Sequence, residues 1–114
     1  MNNIEEFAKE IATDLPKEDG NYGFDMALII VIGSIVINVL QLLTKCNVFG
    51  RSAEDRVKNP GPIDKILLNR AIKRELPKEY MHLKDGIREN ILTRIQSLSG
   101  SKINQMIEEA ENAR

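Results

Sequence analysis

The run MALIIVIGSIVINVLQLL, residues 26–43, decides how the rest of the chain must be arranged. It carries no charge over eighteen residues, Asp25 and Lys45 stand at its borders, and twelve of the eighteen are Leu, Ile or Val. A helix with that composition is apolar around almost its whole circumference and has no face suited to water. Either lipid surrounds it or the other helices of the protein do.

Length allows the lipid reading. Eighteen residues at about 1.5 Å each reach roughly 27 Å, close to the thickness of a hydrocarbon core. The aliphatic residues favour insertion by about 4–7 kcal/mol, from which Gly33, Ser34, Asn38 and Gln41 subtract a few. Residues 1–25 hold two lysines against seven acids, and residues 44–114 hold fourteen Lys and Arg against ten acids. By the positive-inside rule a span here puts the N-terminus outside and the basic part in the cytoplasm.

The placement of the polar residues suits a buried helix as well. At 100° per residue, Ala27, Ser34, Asn38 and Gln41 fall within about 60° of one another. Such a small-and-polar stripe fits a close helix contact, as a core seam or as a dimer interface between two copies of the chain. These two environments remain open at the level of sequence.

The flanking segments read as amphipathic helices. Asn3 stands as a cap with Glu6 three residues on, and Ile4, Phe7, Ala8, Ile11 and Leu15 share one face before Pro16 ends the helix. Residues 17–23, with two glycines, read as a turn. Residues 47–61 show no sustained period and end in Asn59-Pro60-Gly61-Pro62, which marks a linker or hinge. Pro62 then opens a helix that runs to Leu76, with Leu67, Leu68, Ala71 and Ile72 on one side and Arg70, Lys73 and Arg74 on the other. Tyr80, Leu83, Ile87, Ile91, Ile95 and Leu98 keep to one face, with Asp85-Gly86 expected to divide a short helix from a longer one. Ser101 is the expected cap of a last helix that turns Ile103, Met106, Ile107 and Ala110 inward.

The fold class expected is therefore all-α: one domain over residues 1–114, a small helical bundle around a central apolar helix at about 26–44, ending in a helical hairpin. Its parts are an N-terminal hairpin (1–46), the linker (47–61) and a basic helical part (62–114). Aromatic residues make up only 4% of the chain, so the core must be aliphatic.

Enzyme chemistry has no visible foothold. The sequence lacks phosphate-binding glycine loops and zinc-protease motifs, and it pairs no nucleophile with a suitable histidine. Cys46 and His82 are each the single residue of their type, which leaves no internal disulfide and no Cys/His zinc set. Glu5, Glu6 and Glu10 read as a solvated helix face rather than as metal ligands. A non-enzymatic protein without cofactor or metal is expected.

The run IRENILTRIQSLSGSKINQMIEEAE, residues 87–111, resembles a helix-turn-helix of the winged-helix repressor kind. The resemblance rests on a short helix, a Leu-Ser-x-Ser turn and a second helix ending in acidic residues. It implies that Ile91, Leu92 and Ile95 hold the first helix, that Leu98, Ile103 and Ile107 seat the second, and that Lys102, Asn104 and Gln105 point outward. Asn and Gln side chains pair with adenine edges, and Lys with guanine or phosphate. Glu108, Glu109 and Glu111 on the same helix depart from what a phosphate-facing element needs.

Charge adds to this. Residues 44–107 hold thirteen Lys and Arg against seven acids, although the whole chain is at −1. Arg70, Lys73, Arg74, Arg88 and Arg94 are candidates for gripping phosphate beside Lys102, Asn104 and Gln105. The lead expectation is a cytoplasmic, homodimeric nucleic-acid-binding protein, with DNA the expected partner. A membrane-anchored protein whose basic part meets anionic lipid, and a structural assembly subunit, are the alternatives.

Overall fold

A computed structural model describes residues 2–15, 26–45 and 52–113. Six α-helices lie within them, α1 (Asn3–Asp14), α2 (Met26–Lys45), α3 (Ala53–Lys58), α4 (Pro62–Glu75), α5 (Lys84–Gln96) and α6 (Gly100–Asn112), with a 3-10 helix at Lys78–Leu83. The described residues contain no strand. The expected all-α bundle is the observed one, and α2 is its central element, packed against α1, α4 and α6.

Local chemistry sets most of the helix ends. Asn2, not Asn3, caps α1, its side-chain oxygen accepting the Glu5 N–H at 2.7 Å. Leu15 is extended, as a residue preceding proline tends to be. Ser99, two residues before the expected Ser101, caps α6 by accepting the Lys102 N–H at 3.1 Å. Pro62 occupies the first turn of α4, and Leu76, before Pro77, is extended beyond its end. The division expected at Asp85-Gly86 falls instead at Leu83, so Gly86 lies inside α5. Its missing side chain makes room for Leu15, whose Cδ2 lies 3.1 Å from where a Cβ would stand.

The expected linker contains structure. Ser52 caps the short helix α3, and Arg56 and Val57 on it are buried. Sequence reading misses α3 because six residues are too few to establish a period. The expected turn at 17–23 and Cys46 lie outside the described residues.

The core is aliphatic. Ile11, Ile32, Ile35, Leu40, Ile72, Ile87 and Ile103 are the largest side chains fully withdrawn from solvent. Each contributes about 1.5–3 kcal/mol of burial. On α2 the buried side chains are Leu28, Ile29, Ile32, Ile35, Val36, Leu40 and Leu43, which span about 140° of the helix. The opposite arc carries Ala27, Ile30, Ser34, Ile37, Asn38 and Gln41, all exposed or half-buried. The small-and-polar stripe thus runs along the outer side of the central helix, while the purely aliphatic side faces inward.

Candidate nucleic-acid interface

Three surfaces carry the residues singled out from sequence as nucleic-acid contacts, and the fold treats them differently. On α6, Lys102, Asn104 and Gln105 all reach neighbouring helices. The Lys102 ammonium donates to Asn3 Oδ1 at 2.8 Å, Gln105 Oε1 accepts from Asn3 Nδ2 at 3.0 Å, and Asn104 Nδ2 donates to Glu54 Oε2 at 3.3 Å. Glu109, one turn on from Gln105, accepts the backbone N–H groups of Asn3 and Ile4 at 3.1 and 3.0 Å. Its carboxylate therefore covers the positive end of the α1 dipole. Exposed Glu108 and Glu111 lie farther along the helix.

On α5, Arg94 pairs with Glu10 at 3.3 Å and also with Asp14, tying α5 to α1. Arg88 pairs with Asp85 at 3.7 Å and Glu89 at 3.3 Å on its own helix. Both guanidiniums already have carboxylate partners.

The third surface is α4. Arg70, Lys73 and Arg74 are exposed, and so is Lys65, which sequence reading did not select. Among the described residues none of the four makes an ion pair. The acids of α4 are turned away from them. Asp64 is buried, where it meets Arg56 at 2.8 Å and accepts the Gly61 N–H at 3.0 Å. Glu75 is half-buried and accepts from Asn38 at 3.3 Å. Ile63 and Ile66 share the outer face, 65% and 54% exposed, and the helical period alone would have placed both beside Arg70 and Lys73.

The polar stripe of α2 splits. Gln41 donates to the Ala110 carbonyl of α6 at 2.8 Å and Asn38 reaches Glu75 of α4. Ala27 is exposed and Ser34 half-buried. Among the described residues no group of three or more His, Cys, Asp or Glu side chains is gathered as a metal site would need.

A scan against protein-family models, a search of characterised proteins and a search of solved structures found no match to this chain.

Proposed function

We propose that this chain is a small non-enzymatic nucleic-acid-binding protein that grips phosphates on the outer face of α4. One observation carries the reading. Arg70, Lys73 and Arg74 stand exposed and free of ion pairs among the described residues, while both acids of the same helix face inward. Unpaired cations are the ones that gain most from phosphate, since binding releases counterions without first breaking an ion pair. Lys102, Asn104 and Gln105, engaged with α1 and α3, act in this reading as bundle staples, and the contact surface lies on α4 instead of α6. The open arc of α2, where Met26 and Ile30 are 59% and 63% exposed beside Ala27 and Ser34, joins two copies. In this reading the protein is cytoplasmic.

The deciding experiment is salt-dependent binding of a fluorescent duplex to the wild type and to R70A/K73A/R74A. Loss of affinity and a shallower salt dependence in the variant support the reading. Equal binding by both removes it.

A second reading keeps the membrane. Helix α2 is long and apolar enough to cross a bilayer, and 39% of its most apolar eighteen-residue window is buried within the fold. Fractionation without detergent separates the two: recovery only with membranes favours the span, and a detergent-independent soluble species favours the bundle.

A further inference from the structure

The outer face of α4 holds more than phosphate-binding chemistry. At 100° per residue, Ile63, Ile66, Arg70, Lys73 and Arg74 fall within an arc of about 100°. They are not mixed along it: the two isoleucines occupy the first half of the helix and the three cations the second. From Ile63 to Arg74 the face extends about 17 Å. Two exposed β-branched side chains contribute nothing to a phosphate grip, so their position in the same arc calls for an apolar feature in whatever the cations bind.

Resting on the nucleic-acid reading, we infer that α4 enters the major groove of duplex DNA, with Ile63 and Ile66 against the C5-methyl groups of thymine and Arg70, Lys73 and Arg74 on guanine edges or phosphate. The major groove of B-form DNA, about 12 Å wide, admits a helix, and the thymine methyl is the apolar group it displays. The A-form major groove of RNA is too deep and narrow for a helix to read, and uracil carries no such methyl. Charge complementarity favours a polyanion because the face presents three cations and no exposed acid. A lipid surface fits less well. Of the other apolar side chains of the helix, Leu68, Ala71 and Ile72 are buried and Leu67 is half-buried against the core, which leaves only Ile63 and Ile66 fully open to a bilayer.

The test compares three probes of matched sequence at fixed low salt: an A·T-rich DNA duplex, the same duplex with deoxyuridine in place of thymidine, and the corresponding RNA duplex. Wild type is expected to bind the thymine duplex more tightly than the deoxyuridine one, by about 4-fold for one methyl contact and up to about 15-fold for two. The RNA duplex is expected to bind more weakly than either. In I63A/I66A, whose changed side chains are exposed, the thymine preference should vanish while the salt dependence is kept. Equal affinity of wild type for thymine and deoxyuridine duplexes, with binding still dependent on Arg70, Lys73 and Arg74, overturns this inference and leaves the proposed function standing. Absence of duplex binding, with capture by phosphatidylserine vesicles that I63A/I66A abolishes, overturns both and makes the face a lipid contact.

Discussion

Arg56 and Asp64 form a buried ion pair between the short helix α3 and the first turn of α4, Nη2 to Oδ1 at 2.8 Å, with side chains 7% and 6% exposed. Each partner has a second commitment. Arg56 Nη1 donates to the Leu43 carbonyl at 2.9 Å, where α2 nears its end, and Asp64 Oδ2 accepts the Gly61 N–H that precedes α4. The pair thereby fixes three helices at one point and turns an acid of α4 away from its basic outer face.

Removing one partner takes from the other, still buried, the opposite charge that lies 2.8 Å away. Asp64→Ala is expected to lose about 3–5 kcal/mol in urea unfolding, and Arg56→Met a comparable amount. The double variant R56M/D64L should be markedly more stable than either single variant, because it leaves no lone charge behind. A double variant as unstable as the sum of the singles would mean that the pair's role is not electrostatic.

Glu109 provides the equivalent link between the chain's two ends, closing the first turn of α1 from α6. Glu109→Ala leaves two N–H groups without their acceptor and removes a favourable charge from a helix N-terminus, at an expected cost of about 1–3 kcal/mol. Hydrogen exchange at Asn3 and Ile4 should accelerate in that variant while the amides of α5 keep their protection. Unchanged exchange at those two residues would show that the carboxylate is not their acceptor in solution.

What the sequence made legible follows from where periodicity is strong. The eighteen uncharged residues of α2 and the inward rows of α1, α4 and α6 are long enough to announce both helix and buried face. Helix α3 was not, and with it went the Arg56–Asp64 pair. Nothing in an aperiodic stretch indicates that an arginine there will lie buried against an acid eight residues later. The same limit applies to Lys102, Asn104 and Gln105. Helical angle placed them off the core side of α6, where Asn104 and Gln105 are exposed and Lys102 half-buried, but it does not tell that Asn3 and Glu54 stand within hydrogen-bond reach of them. The basic side of α4 was legible because, among the described residues, no other element covers it.

That difference yields opposite expectations for two triple variants. K102A/N104A/Q105A removes the side-chain hydrogen bonds that hold α6 to α1 and α3, so it should unfold earlier, by about 1–3 kcal/mol in total, and bind duplex as the wild type does at temperatures where it is folded. R70A/K73A/R74A, altering exposed and unpaired side chains, should stay within about 0.5 kcal/mol of wild-type stability. Its plot of log affinity against log salt should flatten by about 2–3 units, near 0.9 for each phosphate that the variant no longer neutralises. If the α6 variant instead lost binding with its stability intact, the interface would belong to the C-terminal hairpin.

Ile30 offers the sharpest probe of what covers the outer arc of α2. It is 63% exposed in the single chain, on a helix whose opposite side is packed with aliphatic residues, and no charge lies between Met26 and Thr44. A second copy meeting this arc would bury Ile30 and Met26 across the small side chains of Ala27 and Ser34. Ile30→Glu should then convert a dimer to a monomer in light scattering without lowering helix content, since the position contributes little to the fold of one chain. Duplex affinity should fall with it, because a monomer presents one α4 where the dimer presents two. A wild type that is already monomeric in light scattering would leave this arc without its partner and remove dimerisation from the proposed function, while the α4 surface would be unaffected.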